Sequence, residues 1–271
     1  MINFINEVFN QDIMQILKEL PDGSVDMIYS DPDYNVGIKY NNNNYTKGFD
    51  KYIDWYVELA KESIRALKDD GNIFFINYPK QNAYLWVKYL DKACYAVHEY
   101  VWIYNTNVGH SPKKFTTAHR TILHCTKTKN NKWFKDAVAE SYLNPKDKRI
   151  IDNISKGSKG RMPYSWLYYN LVKNVSKDKT IHSCQIPLGL VEKLLKASTQ
   201  TGDLVLIHFG GSGNEILLTK NLKRHYISAE IDSIYYNMII KRLKIDGKIP
   251  DEYKLKFKKT RNSEFDSMET I

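Results

Sequence analysis

Two hydrophobic patterns alternate along the chain: apolar residues at helical spacing, and short unbroken apolar runs. Ile13, Ile16, Leu17 and Leu20 recur at helical spacing, and Pro21-Asp22-Gly23 stops that helix. Val25 to Ser30 is a short apolar run suited to a buried strand. It ends at Asp31-Pro32-Asp33-Tyr34-Asn35, because proline cannot donate to a sheet ladder and favours a turn. A polar loop follows through Asn41–Asn44 to about Gly48. Tyr52, Trp55, Tyr56, Leu59, Ile64 and Leu67 predict an amphipathic helix closed by Lys68-Asp69-Asp70-Gly71. Residues 72–77 predict a second buried strand, 82–92 a helix, and 100–104 and 121–125 two more strands. The pattern lapses near Thr126. It resumes with a helix over 188–197, a strand over 203–209, a glycine-rich turn, a helix to Leu222, a strand over 225–230 and a helix over 233–243. The tail after Lys248 is highly charged and expected to be poorly ordered. Strand and helix in alternation predict an α/β fold with helices on both faces of one sheet.

Length and composition narrow this further. The 271 residues, 42% of them hydrophobic, suit one large domain spanning 1–271 with an insert at 126–180. No apolar run reaches the ~18 residues of a membrane span, and the first ten residues lack a secretory pattern. Cys94, Cys125 and Cys184 are odd in number and far apart, which suits reduced thiols in a cytoplasmic protein and gives no metal-site spacing. The net charge is +9, and residues 127–179 hold thirteen Lys/Arg against five Asp/Glu, so most of the excess sits in the insert. A phosphate-tracking surface needs such a concentration, and a solvated loop explains it equally well. The insert also carries Trp133, Phe134, Tyr142, Tyr164, Trp166, Tyr168 and Tyr169, and it is long for a loop inside a compact domain.

Two short segments carry candidate chemistry. Phe209-Gly210-Gly211-Ser212-Gly213 joins a strand to a helix, so backbone N–H groups and a close main-chain approach become available. Glu230 ends the next strand, where a carboxylate can accept both hydrogen bonds of a ribose diol. A tight strand–helix connection explains the glycines as well. No Walker lysine follows, since Asn214-Glu215 stands in its place. Asp31-Pro32-Asp33-Tyr34 lies at the carboxyl end of a predicted strand. An exocyclic amino group is a poor nucleophile because its lone pair is delocalised into the ring. A carboxylate (Asp31) and a backbone carbonyl (Pro32) accepting its two N–H groups would localise that pair, while Tyr34 could stack on the base. A plain Asp-Pro turn is the alternative.

Taken together, these segments resemble the amino-methyltransferases of DNA (N6-adenine and N4-cytosine). Their catalytic tetrapeptide is usually Asp-Pro-Pro-Tyr and their cofactor turn Phe-x-Gly-x-Gly, and the resemblance is to the class in which the tetrapeptide comes first. Gln11-Asp12, Leu20–Asp26, Leu67–Gly71, His182-Ser183-Cys184-Gln185-Ile186-Pro187 and Arg224–Ile231 match further family elements, so roughly 1–125 and 180–243 are covered. The resemblance implies a Rossmann-like methyltransferase fold dependent on S-adenosylmethionine, mostly parallel and circularly permuted, with a basic target-recognition insert at about 126–180. It implies catalytic roles for Asp31, Pro32 and Tyr34. It implies cofactor contacts from Asp12, Phe209, Gly211, Ser212, Gly213, Glu230, His182 and Gln185, to which Asp33 is added as a candidate. Lys113, Lys114, His119, Arg120, Arg149 and Arg161 are the candidates for double-stranded DNA, alongside His110 and Ser111. No metal and no membrane partner is expected. A homodimer and a companion restriction endonuclease stay open.

Three positions depart from the family pattern: Asp33 for the second proline, Ile207-His208 for Asp-Pro before the glycine turn, and Ile186 for a lysine. Asp33 could restore a cofactor contact that Ile207 removes. The reading favoured by the residues is methylation of adenine N6 in a flipped-out base. N4-cytosine methylation and a catalytically degenerate DNA-binding homologue are the alternatives.

Overall fold

The computed structural model describes residues 4–40, 43–105, 112–172, 176 and 179–255. Among these residues, ten strands and eight α-helices follow one another. β1 (Glu7–Phe9) and α1 (Ile13–Glu19) lead to β2 (Val25–Ser30), then to a small ribbon of β3 (Lys39–Tyr40) and β4 (Asn43–Asn44). Next come α2 (Phe49–Ala66), β5 (Leu67–Asn77) and α3 (Pro79–Leu85), which continues through a π turn (Trp86–Leu90) into α4 (Asp91–Ala93). β6 (Ala96–Ile103), β7 (His119–Thr126), α5 (Lys148–Ser155) and β8 (Trp166–Tyr168) follow. The chain then forms α6 (Leu188–Ser198), β9 (Leu204–Ile207), α7 (Asn214–Asn221), β10 (His225–Ala229) and α8 (Ser233–Lys244).

Eight strands form one sheet in the order β1-β10-β9-β2-β5-β7-β6-β8. Only the β5–β7 and β7–β6 pairs are antiparallel, so the sheet is mostly parallel as expected. Every residue of β2 is buried, which explains its unbroken apolar reading: both faces of a central parallel strand are covered. Alternate side chains serve two cores. Ile73, Phe75 and Leu206 pack with Leu17 and Leu59 of α1 and α2 on one face. Phe74, Ile76, Val205 and Ile207 pack with Leu190, Ile216 and Ile239 of α6, α7 and α8 on the other. The chain leaves β2 through α2 toward β5, and leaves β9 through α7 toward β10. β2 and β9 are neighbours, so their carboxyl ends flank a topological switch point, where open α/β sheets bind ligands.

The structure revises several boundaries. α2 ends at Ala66 and β5 begins at once, so Lys68–Gly71 are not a helix-closing turn. They form an irregularity between the Val25–Leu67 and Met27–Asn72 pairings. A Cβ on Gly71 would lie 2.8 Å from the Asp26 carbonyl oxygen, so only glycine fits there. β1 was not anticipated, since three residues with one buried side chain leave no readable pattern. Segment 126–180 is less separate than its composition implies. Trp133 stacks on His124 at 5.1 Å, the Phe134 N–H donates to Ala197 O, and β8 extends the main sheet beside β6. Its middle stands out from the sheet: α5 has no buried residue, and Ile151 and Ile154 are exposed. The tail beyond Leu255 lies outside the described residues.

Candidate functional site

A cleft of about 200 Å³ opens at the carboxyl ends of β2, β9 and β10. It brings together Asp12, Asp31, Pro32, Asp33, Tyr34, His182, Phe209, Gly211, Ser212 and Glu230, ten of the twelve residues expected to act in catalysis or cofactor binding. The other two support it from behind. Gly213 has a left-handed backbone, φ +79°, and caps α7. Gln185 is buried and accepts from the Thr180 N–H.

The glycine turn is held by its own acid. Gly211, at φ +52°, donates its N–H to Glu230 Oε2 at 2.8 Å, and the Asp232 N–H donates to Oε1 at 2.8 Å. Each oxygen keeps a lone pair for a further donor. Burial raises the Glu230 carboxyl to about 7, against the lowering effect of these two N–H groups. Gly210 and Gly213 serve packing instead: a Cβ on either would meet Ile239 of α8, at 2.7 and 3.1 Å. A Cβ on Gly211 would meet the His182 ring at 3.2 Å, and that ring packs edge-on to Tyr235.

At the end of β2, the Tyr34 hydroxyl donates to Asp31 Oδ1 at 2.5 Å. Enclosure raises the Asp31 carboxyl to about 7. Only the Tyr34 hydrogen bond and the charge of Arg120 oppose the rise. Arg120 was expected to face DNA, but it is buried. Its guanidinium lies 3.7 Å from the Tyr78 ring centroid, 5.1 Å from Tyr34 and 5.3 Å from Tyr104, and it hydrogen-bonds the Tyr104 hydroxyl. Tyr34 is itself buried and edge-on to Tyr78 at 5.5 Å, so its hydroxyl positions Asp31. Gln81 fixes the turn by donating to Tyr34 O, and the Tyr52 hydroxyl donates to Asp33 O.

The remaining DNA candidates are dispersed. Lys113 and Lys114 are exposed beside the fully exposed Phe115, and His119 opens β7. Arg149 projects into solvent from α5. Arg161 is tied to Glu140 at 2.8 Å and stacks on Tyr164. His110 and Ser111 lie outside the described residues. Of the three departures, Ile186 and Ile207 are buried in the second core, while Asp33 faces the cleft. The sequence reading missed Tyr29, Trp55, His208, Glu215 and Asp232, which also line the cleft. Asp232 was detectable as the Asp-Ser start of α8, where it caps Ile234 and Tyr235. Among the described residues no helix is long and apolar enough to cross a membrane, and no His/Cys/Asp/Glu group could hold a metal.

An open α/β sheet with a ligand crevice at its switch point, a glycine turn on one lip and an Asp-Pro turn on the other is the architecture of an α/β protein that binds a nucleoside-type ligand. The N6/N4 DNA methylase family model matches residues 25–241, and the chain belongs to that family. It is similar to the type II methyltransferase M.BglII of Bacillus subtilis, with 29% identity over 98% of this chain and 73% of that protein. It is also similar to the DNA adenine methyltransferase YhdJ of Escherichia coli, with 26% identity over 95% of this chain and 89% of the other. The fold matches the solved PvuII DNA methyltransferase (cytosine-N4-specific), with a TM-score of 0.64 and 19% identity over 84% and 83% of the two chains. The protein is a site-specific DNA methyltransferase, and its methyl donor is S-adenosylmethionine.

The cleft fits that donor chemically. Among the described residues, Asp33 Oδ1 and the Tyr29 hydroxyl are buried without a hydrogen-bond partner, and Glu230 keeps acceptor capacity for a diol. Unpartnered buried polar atoms are costly, and a polar ligand in the cleft would relieve that cost.

Proposed function

We propose that the protein methylates the exocyclic N6 amino group of adenine in double-stranded DNA, on a base swung out of the duplex. The observation that carries this reading is the Asp31 carboxyl at the cleft. One oxygen is held by Tyr34, and the end of β2 and the Pro32 turn fix its direction. Asp31 accepts one N–H of the target amino group and the Pro32 carbonyl accepts the other, which localises the nitrogen lone pair for attack. When bound, S-adenosylmethionine supplies the electrophilic methyl group. Glu230 and Asp12 hold its ribose and adenine, and Asp33 its amino end. Asp12 caps α1 with one oxygen and keeps the other for this contact. The glycine turn lets the main chain approach the donor. No side chain forms a covalent bond to the base.

Aspartate at position 31 favours adenine, because cytosine enzymes of the family resembled here more often carry serine there. The similarity to a DNA adenine methyltransferase over 95% of the chain supports the same base. The fold match to a cytosine-N4-specific enzyme keeps cytosine as the second reading. The exposed middle of 126–180, with Arg149 on α5, and Lys113 and Lys114 near β7 are the surfaces proposed to meet DNA. The test is methyl transfer from labelled S-adenosylmethionine to unmethylated DNA, with product nucleosides identified by mass spectrometry. N6-methyladenine made by wild type and not by Asp31→Ala supports the proposal. N4-methylcytosine changes the base, and no transfer with DNA binding intact leaves a degenerate binder.

A further inference from the structure

The carboxyl groups of Asp12, Asp31, Asp33, Glu215, Glu230 and Asp232 line the cleft, against Lys47 as the one lysine or arginine among its described lining residues. Five of these acids have structural or positioning work. Asp12 and Asp232 cap helices, Glu230 holds the glycine turn, Asp31 holds Tyr34, and Asp33 accepts from backbone N–H groups in its own turn. Glu215 is the exception. It sits in the first turn of α7, directly after the glycine turn, and is only 6% exposed. Its carboxylate accepts from its own backbone N–H, and no lysine or arginine lies within ion-pair distance among the described residues. The nearest arginine, Arg242, spends its donors on Ser212 O, Asn214 Oδ1 and Gly247 O. A glutamate in a first helical turn does favour the helix dipole, but it would do so equally well from the solvent side. This one faces the cleft, on the side of Asp31.

We propose that Glu215 is a specificity-determining residue: its carboxylate makes the cleft prefer the cationic sulfonium donor over the neutral thioether left after transfer. The inference rests on the reading of this cleft as the S-adenosylmethionine site. Donor and product differ by one methyl group and one positive charge, and a mainly apolar pocket discriminates a single methyl only weakly. An ionised carboxylate within several ångströms favours the cation strongly enough that, after the cost of releasing its proton, a preference on the order of tenfold remains. Tyr29 of β2, Asp31 in the turn that follows it, and Arg242 of α8 are the titratable and charged groups that act on Glu215 among the described residues. Burial, with Asp31 adding to it, raises the Glu215 carboxyl to about 8, against its own N–H and Arg242. Without a cation beside it the group therefore keeps its proton near neutral pH. Donor binding releases that proton, and product binding does not.

Calorimetric titration of S-adenosylmethionine and S-adenosylhomocysteine into wild type, Glu215→Gln and Glu215→Asp tests this without turnover. Glu215→Gln is expected to lose on the order of tenfold in donor affinity while keeping its product affinity. Glu215→Asp, which keeps the charge, is expected to retain most of the preference. Equal losses for both ligands, or no change for either, overturn the inference and leave the cofactor site standing. Wild type that binds neither ligand overturns the reading of the cleft and the inference with it. Titrations in buffers of different ionisation enthalpy are expected to show more proton release with donor than with product in wild type, and to lose that excess in Glu215→Gln; an excess that survives the substitution belongs to Asp31 or Glu230 and overturns the proposal. Should Glu215→Gln fail to fold, Glu215→Ser takes its place with the same expected outcome.

Discussion

Asp26 belongs to β2 and Asp31 directly follows its last residue, so the two aspartates mark opposite ends of one strand in opposite electrostatic conditions. Asp26 accepts from Lys68 at 2.9 Å, Lys132 at 2.6 Å and the Leu204 N–H at 2.9 Å. Its burial pushes the carboxyl up, but these donors outweigh that and hold it below the usual range. Asp31 has one strong hydrogen bond, from Tyr34, and an arginine committed to tyrosine rings. Its carboxyl rises to about 7. The same residue type is thus a stabilising ion pair at the amino end of the strand and an under-compensated group at the carboxyl end. The end proposed to carry the chemistry is the one where stability is given up.

The comparison breaks most visibly through activity. Asp31→Asn is expected to lower methyl transfer by about 10³-fold, the scale of a lost proton-accepting group, with DNA binding retained in a gel-shift assay. A loss under tenfold would remove Asp31 from the reaction. With donor saturating, the wild-type kcat/KM for DNA should fall about tenfold per pH unit below 7 and level off above it, because the acceptor must be ionised. A flat profile between pH 5.5 and 8.5 would contradict an Asp31 carboxyl near 7.

At the other end, Asp26→Asn should leave turnover per folded molecule unchanged and lower stability by about 2 kcal/mol at pH 7. This is below the usual figure for a broken buried pair because both lysines are partly exposed. The folded carboxyl is depressed, so its contribution is present above the unfolded value of about 3.9 and lost as pH falls through the folded one. Urea midpoints of wild type and Asp26→Asn should converge as the pH falls below the usual carboxylate range. The smallest effect has the opposite sign. Asp31 is raised in the folded state, so its ionisation costs stability above pH 7. Asp31→Asn should therefore melt higher than wild type at pH 8, by a margin that shrinks as pH falls toward 4. A lower melting temperature at pH 8 would show that Asp31 is paired after all.

Much of this frame can be read from pattern, because buried parallel strands and amphipathic helices write their periods into the chain. Val25–Ser30 is bounded correctly for that reason, and the two lips of the cleft were legible because glycine and proline turns are local features. What stayed hidden depends on distance in three dimensions. Arg120 looks like a surface cation beside His119, and only the fold brings Tyr34, Tyr78 and Tyr104 around it. Lys132 looks like one more charge of a basic segment, yet it pairs with Asp26 and Asp203. Glu215 drew notice only as an absent lysine, since nothing local says that its side chain faces the cleft.

Lys132 and β8 also fix how the molecule can change over generations. They anchor the two roots of the segment between them: one is ion-paired at the amino ends of β2 and β9, the other is hydrogen-bonded into the sheet beside β6. Lengthening a loop whose ends are already held adds little closure entropy, about 0.6 kcal/mol per doubling. Between these anchors Phe134 and Glu140 are still tied to α6, but the part around α5, where no residue is buried, can be replaced, shortened or extended while the frame and the cleft stay as they are. The molecule thus joins a constrained frame to a short stretch with room to diversify.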